Sequence, residues 1–119
     1  MRPRILIVDD HEGFRAVARL LLEGDGYEVV GEAADGETAV AVAVALSPGI
    51  VLLDVHLPDL DGFAVSVQLA ALPHPPEVVL ISSRSITDLR RRVQASPVAG
   101  FVAKDELSGA ALGALVGGA

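Results

Sequence analysis

Five residues of this 119-residue chain could handle charge or transfer a group: the adjacent carboxylates Asp9 and Asp10, the carboxylate Asp54, the hydroxyl Ser82 and the ammonium of Lys104, the only lysine present. Each stands at the end of an apolar run, over residues 5–8, 50–53, 78–81 and 101–103. If Asp10 and Asp54 end neighbouring strands, about 5 Å apart, they repel by roughly 3 kcal/mol at an effective dielectric near 20, so something positive must sit with them. All-oxygen ligands favour a hard cation, and Mg²⁺ is usually held by one or two carboxylates together with water and phosphate oxygens. Lys104 adds a compact cation and Ser82 a hydroxyl, both suited to phosphate oxygens. The chemistry this set assembles is phosphoryl transfer: a carboxylate nucleophile, a metal that neutralises charge, and donors for the equatorial oxygens.

The elements that would position these groups follow from the runs themselves. Residues 50–53 read as a strand buried on both faces, as in parallel sheets. Asp54 then lies at its carboxyl end, where open α/β sheets place their ligands, and Pro58 with Asp61-Gly62 turns the chain away; this predicts an exposed carboxylate on a rigid mount. Residues 4–8 form a second strand, ending on Asp9-Asp10. Residues 11–22 follow as a helix with Phe14, Val17, Ala18 and Leu21 inward and Arg15, Arg19 and Glu23 outward. Gly24 and Gly26 end it, and residues 28–33 alternate loosely, as a strand nearer a sheet edge does.

Asp35 caps a helix running from Gly36-Glu37 to Ser47-Pro48; its Ala-Val alternation would also suit a strand, but the cap, the Pro stop and a length of about three turns favour helix. Residues 63–72 form a helix with Phe63, Val67 and Ala70 or Ala71 inward. The strand over residues 77–81 terminates in Ser82-Ser83, and a helix over residues 87–94 carries Arg90-Arg91-Arg92 on a solvated face. A short strand over residues 100–103 ends on Lys104. From Ser108 the chain reads as a last helix that lays Leu112, Leu115, Val116 and Ala119 on the sheet and leaves Gly109, Gly113 and Gly117 along a smooth outer flank. Five alternations of strand and helix make a parallel sheet of βαβ units the economical fold.

Composition narrows the function classes. The length suits one domain over residues 1–119, and the apolar half is built from Ala, Val and Leu with no Trp, as suits helices laid on a sheet. A formal charge of −7 argues against direct nucleic-acid binding, which depends on neutralising phosphates. No apolar run reaches the roughly 18 residues of a membrane span. The absence of Cys fits a reducing cytoplasm and excludes a thiol nucleophile. His11 and His74, without a second nitrogen ligand at metal spacing, are read as loop residues.

The acidic pair, the aspartate followed by Pro58 and Gly62, the hydroxyl and the lysine, in this order, resemble the receiver domain of bacterial two-component response regulators. The resemblance covers the whole chain. It implies a flavodoxin-like (βα)5 fold with strand order 2-1-3-4-5 and Asp54 as acceptor of a phosphoryl group from a sensor histidine kinase. It further implies Mg²⁺ held by Asp10 and Asp54 directly, by Asp9 through water and by the backbone carbonyl of His56, with Ser82 and Phe101 as a switch pair. Asp105 follows Lys104 where most receivers have Pro; with Val8-Asp9-Asp10-His11 this resembles the NarL/LuxR subgroup, whose receivers usually precede a helix-turn-helix output domain. The implied protein is cytoplasmic and no enzyme. Its last helix would dock on a second receiver or an output domain, while a stand-alone receiver acting through protein contacts is the alternative. An aspartate-dependent phosphatase fits less well, because that class wants a second Asp two residues on, where this chain has His56.

Overall fold

The apolar runs form five strands, and the computed structural model describes residues 2–84 and 86–116. The strands are β1 (Arg4–Val8), β2 (Glu28–Ala33), β3 (Ile50–Asp54), β4 (Glu77–Ser82) and β5 (Gly100–Ala103). They pair in parallel throughout, in the order β2-β1-β3-β4-β5, which is the expected topology. Between them run α1 (Glu12–Gly24), α2 (Gly36–Leu46), α3 (Gly62–Ala70) and α4 (Ile86–Gln94); after β5 come a 3-10 turn (Lys104–Glu106) and α5 (Gly109–Gly113).

Both faces of the sheet are covered, which is why the central strands read as unbroken apolar runs. On one face Leu6, Val8, Val51, Leu53 and Leu80 pack with Ala39 and Ala43 of α2, Val65 and Leu69 of α3, and Leu89 of α4. On the other, Ile5, Ile7, Leu52, Val79 and Ile81 pack with Ala18 and Leu22 of α1 and Leu112 of α5. Each fully buried Leu, Ile or Val in these layers contributes about 1.5–3 kcal/mol. Asp35 caps α2 by accepting the Thr38 amide at 2.7 Å, and Arg4 donates to the carbonyls of Leu46 and Ser47 at the other end of the same helix, both at 2.9 Å. The Ala-Val segment is therefore a helix, held at both ends.

Three helix faces differ from expectation. In α1 Ala18 is buried and Phe14 and Leu21 pack on the core as expected, but Leu22 is buried with them and Val17 is 61% exposed. In α3 the inner stripe is Phe63, Val65, Ser66 and Leu69; Val67, Ala70 and Ala71 face solvent. The last helix spans five residues within the described range, and its glycines do not form an outer flank. Gly109 is buried: its amide donates to Asp25 Oδ2 at 2.8 Å and its carbonyl accepts from the Tyr27 hydroxyl at 2.9 Å. Gly113 also faces the Tyr27 hydroxyl, so the small residues of α5 serve a close approach to the loop after α1. Burial there raises the Tyr27 phenol above its ordinary pKa, with the Asp25 charge acting in the same direction. Gly117 and Ala119 lie outside the described residues.

Candidate functional site

Register brings the acids together. Val8 of β1 lies opposite Leu53 of β3, so Asp9 and Asp54 follow side by side at the carboxyl edge of adjacent strands. Ser82 of β4 sits opposite Ala103 of β5, one residue before Lys104. Lys104 closes the set: its Nζ lies 2.6 Å from Asp9 Oδ2 and 3.2 Å from Asp54 Oδ2.

Asp54 is 3% exposed, which corrects the expectation of an exposed carboxylate. The loop after β3 folds back over it: the His56 amide donates to Asp54 Oδ1 at 3.0 Å, and the Gly62 amide donates to the Val55 carbonyl at 2.7 Å. A Cβ on Gly62 would meet the Asp54 carbonyl oxygen at 2.5 Å, so only glycine allows α3 to start this close to the strand end. Asp61 caps α3 through the Ala64 amide at 2.8 Å; its own pKa is lowered, first by the Arg92 guanidinium of α4, 2.7 Å away. Asp59 accepts from the Gly36 and Glu37 amides at 2.8 and 3.0 Å, and these bonds hold its pKa low. Loop and α2 are thereby tied together.

Charge in the pocket is unevenly satisfied. Burial pushes the Asp54 carboxyl above its usual pKa; the His56 amide opposes this, the Asp9 charge adds to it, and Lys104 counters it. For Lys104, burial works against the ammonium, but Asp9 and Asp54 outweigh it and raise the pKa. Asp9 is fully buried. Its Oδ2 meets the Lys104 ammonium at 2.6 Å, and its Oδ1 accepts the His11 amide at 2.8 Å. Two buried carboxylates that share one ammonium, next to a third, Asp10, that is partly exposed, are an all-oxygen donor set that fits a hard divalent cation.

Ser82 is fully buried, and its Oγ accepts the Arg84 amide at 2.9 Å while keeping a proton to donate. Phe101 is half-buried, packs against the core beneath α2, α3 and α4, and lines an open groove of about 800 Å³ with Ser83, Arg84 and Leu115. His56 has an exposed side chain beside the pocket. The structure thus brings Asp9, Asp10, Asp54 and Lys104 together, with Ser82 at the next strand end.

Four further residues, Arg15, Glu32, Phe14 and His11, belong to the site, and sequence reasoning gave them no role in it. Arg15, expected on the outer side of α1, is largely enclosed and donates to the Asp9 carbonyl at 2.6 Å and to Glu32 at 3.0 Å. Glu32 is held ionised well down in pH, first by Arg19. Phe14 places its ring 4.7 Å from Lys104 Nζ, and His11 Nδ1 approaches both Asp9 and Asp10. The i, i+4 spacing of His11 and Arg15, directly behind an acidic pair, was the available signal.

Lys104 is the nearest cation to two buried carboxylates, so its loss should be felt as instability. Breaking a fully enclosed pair costs about 3–5 kcal/mol; because Lys104 keeps 16% of its side-chain surface exposed, about 2 kcal/mol is expected for Lys104→Ala at pH 7. The ammonium's contribution is present at all pH values below its ordinary pKa, so at pH 7 it is lost in full. Without it the carboxylates bind protons more readily in the folded state, and the deficit should shrink as pH falls. Urea unfolding at pH 7 and pH 5 measures this; equal stability of the two proteins at pH 7 would contradict the pairing.

Comparison with known proteins points one way. The family profile described as the response regulator receiver domain matches residues 5–114. The BvgA virulence transcription regulator of Bordetella pertussis is 37% identical over 106 residues, covering 89% of this chain and 51% of that protein. A protein-glutamate methylesterase/protein-glutamine glutaminase of Anaeromyxobacter dehalogenans is 41% identical over 110 residues, covering 91% of this chain and 31% of that protein. Among solved structures, the signal receiver domain of the response regulator NarL from Mycobacterium tuberculosis superposes with a TM-score of 0.84 at 32% identity, covering 96% of both chains. The chain spans about half the length of the first curated relatives it matches.

Proposed function

The chain belongs to the response regulator receiver family, on its NarL/LuxR side, and on that premise we propose that residues 1–119 act as one phospho-acceptor domain with Asp54 as the acceptor. The observation that carries this reading is the placement of Asp54: buried at a strand end, beside a second buried carboxylate and within 3.2 Å of Lys104 Nζ. An Asp54 oxygen attacks the phosphorus of a phosphohistidine on a sensor kinase; the new O–P bond forms as the P–N bond breaks, and the imidazole leaves with the electron pair. Asp9, Asp10 and Asp54, with the carbonyl of His56, would hold Mg²⁺, which supplies neutralisation of charge on the phosphoryl oxygens.

Lys104, already between Asp9 and Asp54, would turn its ammonium to a phosphoryl oxygen, and Ser82 would donate its hydroxyl proton to another. Movement of Ser82 towards the phosphoryl group would leave Phe101, half-buried beside the groove, room to follow; this is the switch the pair would form. Arg15 fixes the backbone of Asp9 and is a positioning residue.

The output is controlled through protein contact, most simply by a DNA-binding domain, since BvgA is a transcription regulator of which this chain matches half. The similarity to a methylesterase supports receivers of this kind serving other outputs as well. The acidic charge speaks against DNA contact by the receiver itself. Among the described residues no helix is long and apolar enough to cross a membrane, and a cytoplasmic location with a sensor histidine kinase as partner completes the reading. Docking of a second receiver or an output domain at α5 would use Ala110 and Ala114, its exposed residues.

Intact-mass measurement after incubation with acetyl phosphate, with Mg²⁺ and with excess chelator, tests the proposal. One phosphoryl group per chain is expected, dependent on Mg²⁺ and removed by hydroxylamine, as an acyl phosphate must be. Uptake that resists hydroxylamine would place the group on another residue type and sink the assignment; steady release of phosphate from small esters would instead favour a phosphatase.

A further inference from the structure

The Lys104 ammonium has neighbours of two kinds. Its Nζ lies 2.6 Å from Asp9 Oδ2 and 3.2 Å from Asp54 Oδ2, and it also lies over the face of the Phe14 ring, 4.7 Å from the centroid. A ring quadrupole attracts a cation within about 6 Å, most strongly where water is kept away, and only 16% of the Lys104 side chain is exposed. The ring is fixed from elsewhere. Phe14 stands in the first turn of α1 and packs against the core layer that contains Ile7, Val102 and Leu107. Its neighbour Arg15 pins that turn to the end of β1 by donating to the Asp9 carbonyl at 2.6 Å.

We infer that Phe14 is a positioning residue for Lys104, holding the ammonium at the acceptor edge by the attraction between charge and ring face while it turns from Asp54 to a phosphoryl oxygen. The lysine stem is flexible, so the position of its head is set by what surrounds it. The two carboxylates compete with a phosphoryl group for the ammonium, because an ammonium that reaches one oxygen must loosen its hold on another. The ring does not compete: it attracts the charge from the side and carries no net charge of its own. Leucine at this position would keep the apolar packing and lose the quadrupole, and the ammonium would then settle on the carboxylates alone. The inference rests on the phospho-acceptor reading for the phosphoryl group; the contact of ring and ammonium stands apart from it.

Site-specific replacement of Phe14 by mono-, di- and trifluorophenylalanine tests this, because fluorine drains the ring face of negative charge with little change of shape, and a packing role predicts no trend. Phe14→Leu is measured beside the series, with a thermal melt of each protein to confirm folding. Lys104 is the only lysine, so its ε-methylene resonance is unambiguous. It is expected upfield in wild type, shifted by the ring, and at its ordinary position in Phe14→Leu. Affinity for beryllofluoride, a phosphoryl mimic, in the presence of Mg²⁺ is expected to fall step by step along the series, to about tenfold weaker in the trifluoro protein and in Phe14→Leu. An ε-methylene resonance that ignores Phe14→Leu, or beryllofluoride affinities that show no trend with fluorine number, overturns the inference, while binding by wild type leaves the acceptor reading standing. A wild type that binds no beryllofluoride overturns both.

Discussion

Asp54→Asn is expected to abolish phosphoryl uptake from acetyl phosphate and to make the protein more stable, two effects of one substitution with opposite consequences for function and fold. The loss follows from the nucleophile: an amide oxygen carries no charge to form an acyl phosphate, and among the described residues Asp54 is the buried carboxylate within reach of both Asp9 and Lys104. The gain follows from the direction of its pKa. Burial raises it, so the folded state disfavours the charged form relative to the unfolded chain. A carboxyl whose folded pKa is raised contributes stability below its unfolded pKa and loses it as pH rises through the folded value. At pH 7 wild type therefore carries a penalty that the neutral amide lacks, and Lys104 can give its whole charge to Asp9. An increase on the order of 1 kcal/mol at pH 7 is expected, shrinking as pH falls towards the range where Asp54 protonates. Denaturant unfolding of both proteins at pH 7 and pH 5, beside intact-mass phosphorylation assays, checks both halves; full phosphoryl uptake by the variant would remove Asp54 from its role, and a gap that widens in acid would contradict the sign.

The strands and their order were legible because a strand covered on both faces needs apolar residues at every position, and such runs end abruptly where the sheet ends. Asp9, Asp54, Ser82 and Lys104 stand out for that reason. The inner faces of the helices were legible only in part: Phe14, Ala18 and Leu21 of α1 and Leu112, Leu115 and Val116 at α5 pack on the sheet as expected, and the cause of each miss differs. In α3 the inner stripe includes Ser66, whose hydroxyl is satisfied by the Phe63 carbonyl at 2.6 Å, so a polar residue hid the stripe while apolar Val67 on the outside imitated it. In α1, consecutive leucines at 20–22 leave the phase open: Leu22 is buried and Leu20 is 75% exposed. In α5, Gly109 faces inward because Asp25 and Tyr27, eighty-odd residues earlier in the chain, claim its amide and carbonyl. No local pattern carries that information. The burial of Asp54 was hidden for a related reason, since it depends on a loop that turns back onto its own strand end, and on a glycine whose missing Cβ lets it.

Gly62→Ala should therefore be among the most damaging small substitutions in the chain, and Gly13→Ala, chemically identical, should not be damaging at all. A Cβ at Gly62 would lie 2.5 Å from the Asp54 carbonyl oxygen and 2.9 Å from Val55 Cα, both backbone atoms that no rotamer change can clear. Relief requires α3 to back away from β3, which would break the Gly62 amide to Val55 carbonyl bond of 2.7 Å and strain the inner contacts of Phe63 and Val65. About 2–3 kcal/mol of destabilisation is expected, the range for forced overpacking with backbone displacement. Because Asp54 itself lies on the segment that must move, phosphoryl uptake should slow by more than the lost stability explains at temperatures where the variant is still folded. At Gly13, inside the first turn of α1, a Cβ would meet nothing within 4 Å, and the exchange trades backbone freedom in the unfolded chain for better helix propensity, a gain of about 0.5–1 kcal/mol at most. Thermal melts of the two variants against wild type should move in opposite directions. A Gly62→Ala protein that melts and accepts phosphate like wild type would mean that the approach of α3 to the acceptor strand is looser than the 2.5 Å clearance implies.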